Sequence, residues 1–245
     1  MTSERGTNND GLVGVGQGDL SPLIAAAHEL KSPLSLIRQL TLGIEGEVGT
    51  AERQHLIERI RLTSERALRL TGDLTKAARL DDALFELEPI NPRQLCDDIA
   101  RELEPLFAAH GRTLRVASRR HPLLLVANRD LLRRIVLNFS DNALHYSETG
   151  SAVELQIKAL QKGRIIRVGV RDYGPALSSD MWRTLQTKLG VAPQTVHARP
   201  QSSGLGLYIA GLFADAMDGR IGATRHRDGA TFYVDLQASR QLSLL

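Results

Sequence analysis

Apolar residues recur at alternating intervals of four and three along two stretches of this chain. The first runs Leu23, Ala27, Leu30, Leu34, Ile37 and Ile44, with polar Thr41 in the slot between the last two. The second runs Leu56, Ile60, Thr63, Ala67, Leu70, Leu74 and Ala77. Such spacing is a heptad seam and predicts two long helices. Gly43 to Thr50 interrupts them, with a break and a new cap at Thr50. Asp19 or Ser21 can cap the first helix; Pro33, inside it, removes a backbone donor and predicts a bend. A hairpin of this kind cannot bury both seams alone, so the pattern predicts a four-helix bundle made with a second copy. His28 follows a seam position, Ala27, and is predicted to point outward. Residues 1–18 are polar and glycine-rich without periodicity and read as a flexible lead-in.

After Asp81-Asp82 the pattern changes, and Pro89 to Pro92 reads as a linker. Beyond it the chain predicts a helix near 92–109, strands near 113–118 and 123–127, a helix near 129–145, and strands near 152–159 and 164–171. An irregular stretch over 174–203 precedes a helix near 205–217 and closing strands near 220–226 and 230–236. The fold class expected is an all-α helical hairpin, 19–88, followed by an α+β sandwich with helices on one face, 89–238, and a tail at 239–245.

Composition narrows the possibilities. The 245 residues are 42% hydrophobic but only 4% aromatic, so the core must rely on aliphatic side chains. The formal charge of +3 is mild, and no basic stripe interleaved with aromatics points to nucleic acid. Cys96 is the single cysteine, which excludes an intrachain disulfide and suits a reducing compartment. No apolar run approaches the roughly 20 residues of a membrane span. Nor does a charged-then-apolar signal peptide open the chain. A cytoplasmic location is expected, either free or as the cytoplasmic part of a longer membrane sensor. Histidines 55, 110, 121, 197 and 226 show no metal-ligand spacing.

Four strings carry the chemistry, in this order: His28-Glu29-Leu30-Lys31-Ser32-Pro33-Leu34; Asn138 to Ser147, with Asn142, His145 and Tyr146 inside it; Asp172-Tyr173-Gly174-Pro175; and Ser203-Gly204-Leu205-Gly206-Leu207. Together they resemble the H, N and two glycine boxes of sensor histidine kinases of two-component systems. The order of elements after the hairpin is similar to the ATP-binding fold those kinases share with gyrase, MutL and the heat-shock chaperones. The resemblance covers residues 20 to about 238.

It implies a dimeric kinase that uses ATP and Mg²⁺ to phosphorylate His28 and then passes the phosphoryl group to an aspartate on a response regulator receiver domain. His28 would be the acceptor and Glu29 the base that takes its proton. Ser32, one turn on, stands where relatives use Thr or Asn to dephosphorylate the regulator. Asn142 would ligate Mg²⁺ through its amide oxygen. Asn138 sits where the hydrolysing ATPases place a catalytic glutamate, and an amide cannot act as that base. His145 would lie near the phosphates, Tyr146 near the adenine. The Asp172 carboxylate would accept from the adenine amino group, with Gly174 letting the backbone approach. Gly204, Leu205, Gly206 and Leu207 would offer backbone N–H groups at a helix start to the triphosphate. Thr231, in Gly229-Ala230-Thr231-Phe232, would close the adenine pocket.

The chain departs from the family at three places: Ala176 and Ser202 replace glycines, and Met181-Trp182 and Leu185 are the nearest match to a phenylalanine-containing lid box. An alternative reading follows: a degenerate dimeric phosphotransfer scaffold that does not use ATP.

Overall fold

The computed structural model describes residues 21–45, 49–80, 86–117, 123–190 and 205–242. Two helices, α1 (Ser21–Ile44) and α2 (Thr50–Ala77), form the hairpin. Along α1 the sheltered stripe is Ala26, Leu30, Pro33, Ile37, Leu40 and Ile44, with Leu36 half-buried beside it; Ala26 and Leu40 are buried. This stripe also advances by four and three, but it is turned by one residue from the predicted seam at three of its places. Ala27, Leu34 and Thr41 are exposed. The reason is that α1 is apolar on two adjacent faces, and α2 covers only one. On α2 every predicted seam position is half-buried as expected. Thr50 is not the cap: Gly49 holds the extended N-cap conformation without a side-chain bond, and Thr50 is the first helical residue. Pro33 is accommodated within an α1 assigned as one continuous helix.

Pro89 to Pro92 is not a free linker. Glu88–Ile90 forms β1, paired antiparallel with β3 (Leu123–Ala127). Asn91 then caps α3 (Pro92–Ala109), its side chain accepting from the Arg93 and Gln94 amides, with Pro92 in the first turn where no donor is missed. The remaining elements are β2 (Thr113–Val116), α4 (Arg129–Tyr146), β4 (Ala152–Leu160), β5 (Ile165–Arg171), α5 (Ser179–Lys188), α6 (Leu205–Asp215), β6 (Arg220–His226) and β7 (Gly229–Leu242). Helix α5 falls within the stretch predicted irregular.

The strands make one seven-stranded sheet in the order β1-β3-β7-β5-β4-β2, with β6 also on β7. All pairs are antiparallel except β2 with β4. Strand β7 outruns its predicted end because, beyond Asp235, where its pairing with β6 ends at Arg220, its further length from Ala238 to Leu242 takes β3 as partner. One sheet face is covered by α3, α4 and α6. Their contact rows (Leu95, Ile99 and Phe107; Leu132, Ile135 and Phe139; Ile209 and Phe213) interlock with Leu155, Val168, Val170, Phe232 and Val234 of the strands. The large side chains in that layer are almost wholly out of water, each contributing about 1.5–3 kcal/mol of burial.

The hairpin rests on this domain. Both α1 and α2 pack against α6, and Leu70, Leu74 and Ala77 of α2 join the edge of the core. Asp73, 6% exposed, pairs with Arg134 of α4, and Lys76 reaches Asp130 at 2.9 Å.

Candidate functional site

Helix α4 starts on a cap: the Asn128 side chain accepts from the Leu131 amide. It presents Leu131, Leu132, Ile135, Val136, Phe139 and Ala143 to the sheet. Phe139 lies against Phe232 with ring centroids 6.1 Å apart. Asn138 and Asn142 stand one turn apart on the half-buried flank of the same helix. The Asn138 amide donates to the Gly206 carbonyl at 3.4 Å, tying α4 to the first turn of α6. No hydrogen-bond partner is recorded for the Asn142 side chain among the described residues. His145 turns Nδ1 back to the Asp141 carbonyl at 2.6 Å, which requires the proton on that nitrogen.

Asp172 follows β5 and is 4% exposed. Its amide donates to the Ala230 carbonyl at 3.0 Å, and the Ala230 amide donates to Asp172 Oδ1 at 3.1 Å. Burial pushes its carboxyl up to about 6; the Ala230 N–H and the Arg171 guanidinium oppose that rise. Such a carboxylate is ionised at neutral pH and strained toward accepting another donor, and Oδ2 has no partner recorded among the described residues. Gly174 is buried against the end of α4, where an added Cβ would collide with the Tyr146 carbonyl oxygen. Only glycine allows that approach, and the Glu148 amide seals it by donating to the Tyr173 carbonyl at 3.0 Å. Tyr146 itself is half-buried.

Leu205 and Leu207 are buried in the core, so what α6 offers a ligand is backbone, not their side chains. Gly204 lies outside the described residues, as do Ser202 and the rest of 191–204. The described residues thus bring together Asn138, Asn142, Asp172, Gly174, Tyr146 and the first turn of α6. The donor set suits an adenine nucleotide with a hard cation: a half-buried amide oxygen, a buried carboxylate and a helix start.

Thr231 is not part of that group. Strand β7 alternates, and Ala230, Phe232, Val234 and Leu236 face the helices. Thr231 therefore faces the outer surface, where its hydroxyl bonds His226 Nε2 at 2.9 Å. It lines a shallow outer cavity with Gln156, Lys158, Arg167 and Tyr233. The inward position belongs to Ala230, which the family resemblance does not single out. The apolar alternation Phe232, Val234, Leu236 was the signal that could have found it.

In the hairpin, Ser32 is exposed on α1. His28 and Glu29 lie within α1, but their side chains, and with them the predicted outward direction of His28, lie outside the described residues.

Residues 127–240 match the family described as histidine kinase-, DNA gyrase B- and HSP90-like ATPase. That segment, which holds Asn138, Asn142, Asp172, Gly174 and the start of α6, is similar to the ATP-binding domain of that family. It is 28% identical over 199 residues to the histidine protein kinase SaeS of Staphylococcus epidermidis, covering 80% of this chain and 56% of that protein. The chain thus spans about half the length of this curated histidine kinase. Two solved structures share the fold. Full-length ShkA in complex with AMPPNP superposes with a TM-score of 0.62 at 23% identity, over 92% of this chain and 48% of ShkA. The histidine kinase ThkA in complex with the response regulator protein TrrA gives 0.63 at 15% identity, over 90% and 62%. Among the described residues, no helix is long and apolar enough to cross a membrane.

Proposed function

We propose that the chain is the core of a two-component sensor kinase that phosphorylates itself on His28 from ATP and passes the phosphoryl group to an aspartate of a response regulator. The observation that carries this reading is the close approach of the Asp172-Tyr173-Gly174 loop to the end of α4, where Gly174 lies against the Tyr146 carbonyl one turn beyond the half-buried Asn142. A scaffold that had lost ATP would have no use for a carboxylate buried at this cost, so that alternative is not favoured. The SaeS likeness and the ThkA–TrrA complex support the kinase class and the regulator as partner.

In this reading Asp172 recognises the base, with Gly174 permitting its approach. Asn142, with Asn138 beside it, holds Mg²⁺ and the phosphates together with backbone N–H groups of α6. The bound Mg²⁺ supplies charge neutralisation at the phosphates. His28 attacks the γ-phosphorus through one ring nitrogen, the bond to the bridging oxygen breaks, and Glu29 takes the proton from the other nitrogen. Ser32 is placed to help dephosphorylate the regulator. Leu34, Leu42, Ile57 and Leu68 are more than half exposed along the hairpin, which supports a homodimer in which a second copy covers them. The chain is proposed to act as the cytoplasmic part of its protein.

Nucleotide binding tests the site directly. Isothermal calorimetry with ADP and Mg²⁺ should give binding in the micromolar to millimolar range, lost in Asp172→Ala. No heat at millimolar nucleotide would return the chain to the scaffold reading.

A further inference from the structure

We infer that Arg171 is a positioning residue for adenine recognition, clamping the β6–β7 turn to the backbone of Asp172 and so fixing the direction of its carboxylate. The inference rests on the reading of Asp172 as the base-recognising group.

Arg171 ends β5 on the sheet face opposite the helices, yet it is only 6% exposed. A guanidinium so buried needs a partner for its charge and donors. It finds them in one place. Nη2 donates to Asp228 Oδ1 at 2.5 Å, Nη1 donates to the Asp228 carbonyl at 3.3 Å, and Nη1 also donates to the Asp172 carbonyl. The guanidinium lies 4.3 Å over the Tyr173 ring. One side chain therefore joins the turn after β6 to the residues on either side of the Asp172 carbonyl.

From the inside, the same turn already grips Asp172 through Ala230. Gly229 sits at φ +127°, and a Cβ there would come within 2.6 Å of Asp172 Oδ1. Asp172 is thus pinched between the Ala230 amide and the Arg171 fork, which leaves Oδ2 with a single direction. Arg167, four residues earlier on the same face, bonds its strand neighbour Asp235 and lies over the Tyr233 ring, both within the sheet, and makes no such bridge. The charged and titratable groups around this junction are Arg171 on β5, Glu154 opposite it on β4 and bonded to Arg115, His226 on β6, Arg227 and Asp228 in the turn, Tyr173 in the loop, and Glu148 beyond α4. Arg171 is the cation among those whose charge lowers the Asp172 pKa. A lysine would keep the charge but could not span two carbonyls and a carboxylate at once.

The test is the affinity of the full chain for ADP and for IDP, measured by calorimetry from pH 5.5 to 8.5. IDP carries a carbonyl where ADP carries the amine that Asp172 would accept from. The wild type should prefer ADP by about a hundredfold at pH 8, and lose that preference as pH falls through about 6. Arg171→Met should cut the preference at least about tenfold and move its pH midpoint upward, since both clamp and charge are gone. Arg171→Lys should cut the preference while leaving the midpoint near the wild-type value, and it carries the test if the methionine variant does not fold. Equal weakening of both nucleotides with the preference and midpoint intact would reduce Arg171 to a structural part and overturn the inference. A wild type that does not distinguish ADP from IDP would instead overturn the reading of Asp172, and the inference with it.

Discussion

Burial raises the Asp172 carboxyl to about 6, well above the ordinary carboxylate range, because water is withdrawn faster than Ala230 and Arg171 replace it. The folded-state pKa lies above the unfolded one, so folding favours the protonated form. That contribution is complete below about pH 4 and lost as pH rises through about 6. At neutral pH the ionised group therefore costs the empty protein on the order of 2–3 kcal/mol. Asp172→Asn, which keeps the shape and an acceptor for Ala230, should raise Tm at pH 7.5 while eliminating ADP binding. A lower Tm would contradict the account of this site. Gly174 makes the opposite case: Gly174→Ala forces a methyl against the Tyr146 carbonyl and should cost about 1–3 kcal/mol in chemical denaturation, with nucleotide affinity falling in parallel. Both residues were legible in the sequence, since Asp-x-Gly after an apolar run is a strand end followed by a close approach. Arg171 was not, because its partners lie 57 residues away in the β6–β7 turn.

At the scale of elements, the helix and strand periods foretold most of the molecule, and the errors have physical causes. The seam of α1 was read one residue off at Ala27, Leu34 and Thr41 because both adjacent faces of that helix are apolar; which one meets α2 is decided by packing. The strand at Glu88–Ile90 is hidden in the sequence by its proline, Pro89, which an edge position tolerates. Thr231, which the family resemblance implies for the adenine pocket, turns to the opposite face, as the alternation of its own strand requires. Thr231→Val should leave ADP affinity within about twofold of wild type, as expected of a side chain turned away from the site. The hairpin joins the ATPase domain through two ion pairs of different depth. Burial of Arg134 lowers its pKa, and Asp73 beside it is nearly inaccessible. Lys76 and Asp130 stay largely in water. A double-mutant cycle on Asp73 and Arg134 should give a coupling of about 1–3 kcal/mol, against less than about 1 kcal/mol for Lys76 and Asp130. Equal couplings would mean that depth does not set their worth.

For the molecule as a whole, the hairpin and the ATPase domain are two halves of one proposed reaction, and the structure brings them together through α6. Its first turn bonds Asn138, and α1 and α2 both pack against it. The helix that carries the proposed phosphoacceptor and the helix whose start would face the triphosphate therefore touch. The proposed dimer is testable separately. Leu34→Glu with Leu68→Glu should turn a sedimenting dimer into a monomer while ADP binding persists, because neither leucine borders the nucleotide site. A dimer that survives both charges would place the interface elsewhere.

The central claim is that this chain moves a phosphoryl group from ATP to His28. It is tested most directly by incubating the full chain with γ-labelled ATP and Mg²⁺ beside His28→Ala and Asn142→Ala. The account predicts acid-labile, alkali-stable label in the wild type and none in either variant. Folded, dimeric wild type that takes up no label, or a His28→Ala protein that still does, would contradict it.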